Sequence, residues 1–145
     1  MANVSIENYA EAQRREDAEL IENVLSGKII DAAIEVHKVL GGPGLLESIY
    51  EDALFHELQL RGMHIQRQLQ VPILYKGVVV GDSMRLDLLV EGRVIVEVKS
   101  TENKHMVHSA QVLTYLRLTK LKLGLVLNFG QSLLRDGLTR VVNGL

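Results

Sequence analysis

Apolar residues first recur with a regular period in the second quarter of the chain. Ile29, Ile30, Ala33, Ile34 and Val36 stand at helical spacing, which predicts a helix over 29–40. Ser26-Gly27 is its expected start, and Gly41-Gly42-Pro43-Gly44 breaks it. A second helix is predicted over 45–60, with Leu46, Ile49, Tyr50, Ala53, Leu54 and Leu58 as its buried side and Arg61-Gly62 closing it. Residues 1–19 show no such period and read as an arm, mobile or partly helical. We therefore expect an N-terminal arm over 1–25 and one folded domain over 26–145.

The texture then changes to strand. Residues 66–74 alternate loosely and contain Pro72, the mark of an edge strand. Lys76-Gly77 makes a turn, and 78–80 and 85–90 read as strand, interrupted near Gly81-Asp82. Glu91-Gly92 is a hairpin turn signal. In the next strand, 93–99, Val94, Val96 and Val98 face one way and Ile95, Glu97 and Lys99 the other. Asn103 is placed to cap a helix over 104–119. Residues 123–129 form an apolar run expected to be a central strand, and 138–142 a last short one. No repeat or linker divides the chain. The order predicts a mixed α/β sandwich in which a hairpin feeds a central strand.

Composition narrows the chemistry. The 145 residues suit a single domain, and 47% apolar with 23% charged residues is ordinary for a globular protein. There is no cysteine, so disulfides and thiolate metal sites are excluded and a metal must be held by oxygen or imidazole. No apolar run reaches the ~20 residues that span a bilayer, and residues 1–20 lack the apolar core of a signal peptide. A cytoplasmic protein is expected, with no membrane partner. The net charge of −2 is unevenly spread: residues 1–60 carry 4 Lys/Arg against 12 Asp/Glu, residues 61–122 carry 10 against 5. The basic stretch could meet phosphates, or be scattered surface charge.

That same stretch holds the candidate chemistry. The hairpin Arg85-Leu86-Asp87 … Glu97-Val98-Lys99 brings Asp87 near Glu97, and Glu97 and Lys99 leave one strand face. Mg²⁺ takes oxygen ligands in octahedral geometry and keeps several waters; Mn²⁺ can substitute. Asp87 and Glu97 would supply carboxylate oxygens, the Val98 backbone carbonyl a third, and Lys99 would hold or help deprotonate a water or stabilise developing charge. Gathered acids repel, so one of them should hold a raised pKa until a cation arrives. The rival reading is a surface ion pair on an exposed strand, and the residues alone leave both open.

Asp87 followed by Glu97-Val98-Lys99 resembles the PD-(D/E)XK motif of a nuclease superfamily, with Leu86 where its proline often stands. Upstream, Gly44-Leu45-Leu46-Glu47-Ser48-Ile49-Tyr50 reads Gly-x-x-Glu-x-x-Tyr and resembles the signature of the GxxExxY family of that superfamily. The likeness runs from about Ile29 to Val141. It implies a restriction-endonuclease-like core, a mixed central sheet flanked by helices. It implies that Glu47 completes the metal site, and that Gln111 and Tyr115, four apart on the helix after the lysine strand, lie beside the metal. His108 shares their face; His105 and His108 make no zinc site. Tyr50 is expected in the core, its hydroxyl reaching the site edge.

The function so implied is a Mg²⁺-dependent nuclease hydrolysing phosphodiester bonds of nucleic acid, DNA ahead of RNA. A partner protein or a homo-oligomer would supply targeting. The alternative is an accessory binding module that keeps the fold without catalysis; the presence of every acidic and lysine position favours the enzyme.

Overall fold

The computed structural model describes residues 6–103 and 106–145. Helix α1 spans Ile6–Val39 as one 34-residue helix. It passes straight through Ser26-Gly27, where the sequence led us to expect a start. Residues 6–26 contain neither Pro nor Gly and are rich in Glu and Ala, so propensity carries the helix where apolar period is lacking. Pairs four apart assist, Arg15 with Glu11 at 2.7 Å and Gln13 with Asp17 at 3.1 Å. Among the side chains described, Glu22 is the first that is buried, with Leu25, Ser26 and Ile29 following. Glu22 is held there by Arg93 at 2.9 Å.

Helix α2 spans Glu47–Leu60 and buries Tyr50, Glu51, Leu54 and Leu58. It begins two residues later than the sequence suggested. Leu46 lies just before the first turn and is 72% exposed, and Ile49 is also exposed. The stripe that faces the core runs 50, 51, 54, 58, which puts Glu51 inside and Ile49 outside.

Strands follow as β1 (Ile65–Val71), β2 (Leu74–Tyr75), β3 (Val78–Val79), β4 (Met84–Val90), β5 (Val94–Lys99), β6 (Leu123–Asn128) and β7 (Leu138–Val142), with helix α3 (Met106–Thr119) between β5 and β6. The expected helix start at Lys104, and His105, lie outside the described residues, as do residues 1–5. The main sheet is mixed, in the order β1-β4-β5-β6-β7. β5 and β6 run parallel, and all other neighbours are antiparallel. Parallel neighbours need a crossover, which α3 provides. β1 is an edge strand, but it ends at Val71, so Pro72, expected inside a strand over 66–74, lies just past it. The middle strand is β5; fully buried β6 lies one place further out. β2 and β3 form a separate two-stranded hairpin.

The sheet has a core on each face. Val94, Val96 and Val98 of β5 join Ile29, Tyr50, Leu54 and Phe129 under α1 and α2. Ile95 joins Val112, Tyr115 and Leu116 of α3 on the other face. Contact with α3 is so close that a Cβ at Gly124 on β6 would meet Val112 Cγ1 at 2.4 Å. At the β4–β5 turn Glu91 and Gly92 both have positive φ, 54° and 64°, as a type I′ hairpin requires. His64 and Glu91 fix that turn: the His64 amide donates to the Glu91 carboxylate at 2.6 Å, and the Glu91 amide to the His64 carbonyl at 2.8 Å.

Candidate active site

The site begins where β4 and β5 part. Their ladder runs from Val90↔Val94 to Leu88↔Val96 and goes no further. Beyond it side chains replace the missing backbone rungs. The Asp87 amide donates to Glu97 Oε1 at 3.2 Å, and the Val98 amide donates to Asp87 Oδ2 at 2.9 Å. Both carboxylates are thereby turned into one gap between the strands. Glu97 is 4% exposed, while Asp87 and Lys99 are half-buried.

A glycine turn sets Glu47 beside that gap. Gly41, Gly42 and Gly44 all have positive φ, 85° to 121°, a conformation cheap only for glycine. Tyr50 is fully buried, stacks on Phe129 at 4.7 Å, donates its hydroxyl to the Gly42 carbonyl at 2.7 Å and accepts from the Leu45 amide at 3.2 Å. Ser100, next after Lys99, donates to the Leu45 carbonyl at 2.9 Å. The hydroxyl of Tyr50 thus clamps the turn, and the turn launches α2. Glu47 is the first residue of that helix. It is exposed, not on a buried side as its flanking Leu46 and Ile49 suggested; both of those are themselves in solvent.

Gln111 and Tyr115 approach from α3. Gln111 Nε2 donates to the Tyr115 hydroxyl at 2.6 Å. Tyr115 is buried in the α3 core and Gln111 is exposed. His108, one turn before Gln111, is half-buried.

Electrostatics tie these groups together. Burial, then the charge of Asp87, pushes the Glu97 carboxyl up to about 8, against the pull of the Asp87 amide and Lys99. Partial burial raises Glu47; Lys99 opposes this, and Asp87 and Glu51 add to it. Solvent on the outer side of Glu47 screens these charges. Burial raises Tyr115, and so does the charge of Glu97. Glu47, Asp87, Glu97, Lys99, Gln111 and Tyr115 therefore belong to one electrostatic neighbourhood. Among the described residues no group of three or more His, Asp or Glu side chains is gathered to hold a metal; the interlocked acids are the pair Asp87 and Glu97.

The family model of the PD-(D/E)XK nuclease superfamily matches residues 23–141. The chain belongs to that superfamily. The match starts where burial of α1 starts, one residue after Glu22. The five-stranded mixed sheet flanked by helices is a restriction-endonuclease-like fold. PD-(D/E)XK proteins are typically nucleases, acting on nucleic acid and generally using divalent metal ions. No curated protein and no solved structure matches the chain. Among the described residues no helix is long and apolar enough to cross a membrane.

Two supports of the site were not singled out from the sequence. Asn128, inside the run read as wholly apolar, is buried and binds the loop after β5: it accepts from the Thr101 and Gly130 amides at 2.9 and 3.0 Å and donates to the Thr101 carbonyl at 3.0 Å. A polar residue closing an apolar strand was the signal available. Buried Glu51 accepts from Arg67 at 2.8 Å and Gln68 at 2.6 Å. Its partners arrive from β1, so no local spacing in α2 marked it.

Proposed function

We propose that this protein is a metal-dependent nuclease that hydrolyses phosphodiester bonds of nucleic acid, with DNA as the favoured substrate. The observation that carries the reading is the interlocked pair Asp87 and Glu97, whose carboxylates enter one gap while each is held by a main-chain amide of the opposite strand. Such a pair, half desolvated and with Glu97 holding a proton near neutral pH, suits a hard divalent cation. Asp87 and Glu97, with the Val98 carbonyl, would hold Mg²⁺ or Mn²⁺, and Glu47 would complete or orient its shell through water. When bound, the cation supplies charge to the phosphate oxygens and acidifies a water.

The remaining residues have distinct tasks. Glu97 would lose its proton to solvent where a cation is held. Lys99, electrostatically coupled to both Glu47 and Glu97, orients the attacking water or donates to a non-bridging phosphate oxygen. Tyr115, hydrogen-bonded to Gln111 and near the charge of Glu97, bounds the site on the α3 side; with Gln111 it positions water or phosphate. Gly44, Glu47 and Tyr50 support placing the chain in the GxxExxY branch, and their shared job is to set Glu47 against the gap. Targeting is assigned to a partner or a second copy.

Purified protein should be incubated with single- and double-stranded DNA and RNA in Mg²⁺, Mn²⁺ or EDTA. Cleavage of DNA that EDTA and Asp87→Ala both abolish is the expected result. Absence of cleavage under every divalent ion, with no metal-induced stabilisation, would return the chain to the class of accessory modules.

A further inference from the structure

β1 and β4 pair in one unbroken register from Ile65↔Val90 to Val71↔Met84, except for a single missing rung: Gln68 opposite Asp87. At that rung Gln68 has φ 49°, a left-handed backbone that a residue with a side chain keeps only when its surroundings hold it there. In a regular strand Arg67 and Gln68 would leave opposite faces. Here both reach the same carboxylate on α2: Gln68 Nε2 donates to Glu51 Oε1 at 2.6 Å and Arg67 to Glu51 Oε2 at 2.8 Å. Glu51 is 7% exposed, so its grip is desolvated. Arg67 is fixed further by Asp52 and lies over the Phe55 ring at 4.8 Å.

Across the gap β4 turns over. Leu86 packs in the core under α3, whereas Leu88 packs in the core under α1 and α2. Two positions apart on a strand should share a face; these do not, and Asp87 is the residue between them. The same residue loses its β1 rung, gives its amide to Glu97 and takes the Val98 amide.

We propose that Gln68, braced by Glu51, is a positioning device that holds the β1–β4 ladder open at one rung and so turns Asp87 into the gap beside Glu97. Its importance for cleavage rests on the reading of Asp87 and Glu97 as the cation-binding pair. Neither Gln68 nor Glu51 need touch substrate.

The test is Gln68→Val, because a β-branched residue resists positive φ. Two-dimensional NMR of this variant should show cross-strand contacts between residues 68 and 87 that the wild type lacks. Its melting temperature should fall modestly, since buried Glu51 loses a donor, so the new contacts and the split between kcat and KM carry the result. Its cleavage of DNA should nonetheless drop by about 10²-fold in kcat, as misplacement of a reacting group does, with KM unchanged. Gln68→Gly, free to keep positive φ, should leave the gap open and cleavage largely rescued. If Gln68→Val does not fold, Glu51→Leu removes the brace while Arg67 keeps Asp52, and the same 68–87 contacts should appear. A Glu51→Leu protein that keeps the gap open, or a Gln68→Val protein that closes it and cuts as well as wild type, overturns the proposal. If the wild type cuts nothing, the nuclease reading fails, and the NMR contacts alone decide the brace.

Discussion

Asp87 and Glu97 hold each other through the main chain. The amide of Asp87 donates to Glu97, and the amide that follows Glu97 donates to Asp87. Two carboxylates that repel are thus fixed side by side in a gap that backbone pairing has vacated. The cost is borne by Glu97, buried and next to a like charge, whose carboxyl rises from its ordinary 4.5 to about 8.

The sign of the resulting pH dependence follows. Between pH 4.5 and 8 the folded protein holds a proton on Glu97 that the unfolded chain has lost, so stability falls as pH rises through that window. Each pH unit can cost at most about 1.4 kcal/mol from one group. Without divalent cations, thermal melting should move down between pH 5 and 8. Glu97→Gln, neutral throughout, should flatten that trend. An equally steep decline in Glu97→Gln would place the titrating group elsewhere.

Tyr50→Phe tests the turn that launches α2. The substitution removes a hydroxyl that donates to the Gly42 carbonyl and accepts from the Leu45 amide, leaving the stack on Phe129 in place. Stability should drop by about 1–2 kcal/mol in urea unfolding. Cleavage should fall further than stability explains, because Glu47 follows the turn by two residues. A stable variant with full activity would make Tyr50 a core residue alone.

How far the sequence discloses this arrangement depends on how local each feature is. Val94 to Lys99 alternates strictly, and its faces in the fold are those the alternation predicts. The Glu91-Gly92 hairpin is likewise a property of two adjacent residues. The first half of α1 was read only as an arm, mobile or partly helical, because it carries no apolar period: apart from half-buried Ala10, the side chains described over 6–21 are exposed. On α2 Tyr50, Leu54 and Leu58 are buried as the period predicts, but Leu46 and Ile49 are not. Ile49 looked buried and Glu51 did not, yet Glu51 sits inside because Arg67 and Gln68, arriving from β1, neutralise and bind it. A carboxylate partnered from 16 residues away leaves no periodic trace. The same is true of the rung missing at Gln68, since no rule of propensity puts a glutamine at positive φ.

The basic balance of residues 61–122 overstates the surface open to phosphate. Arg61, Arg67 and Arg93 are in ion pairs with Glu57, Glu51, Asp52 and Glu22. At most seven of the ten basic residues in that stretch stay outside such pairs. Binding to duplex DNA should weaken with salt, but with a log–log slope no steeper than about −6, given roughly 0.9 per phosphate contact. Titration of fluorescent duplex at several ionic strengths measures this. A flat salt response would point to recognition through a protein partner.

Asp87→Ala and Lys99→Ala separate holding a cation from using it. Both side chains border the gap, and both sit in the field of Glu97. Asp87→Ala deletes a ligand, so Mn²⁺ or Mg²⁺ should no longer raise the melting temperature, and cleavage should vanish with it. It also deletes the charge that helps raise Glu97, so the acid-to-neutral loss of stability should shrink. Lys99→Ala deletes a positive charge that competes with a cation for the same carboxylates. Metal-induced stabilisation should therefore survive or increase, by the mass-action shift of ligand binding to the folded state. Cleavage should still fall by about 10²–10³-fold, the effect of losing one donor to the transition state. Thermal-shift titrations and cleavage rates on the two variants, run side by side, distinguish the roles. If Lys99→Ala lost metal binding together with activity, the lysine would be part of the scaffold of the acids. If it lost neither, its place next to Glu97 would be an ion pair and nothing more.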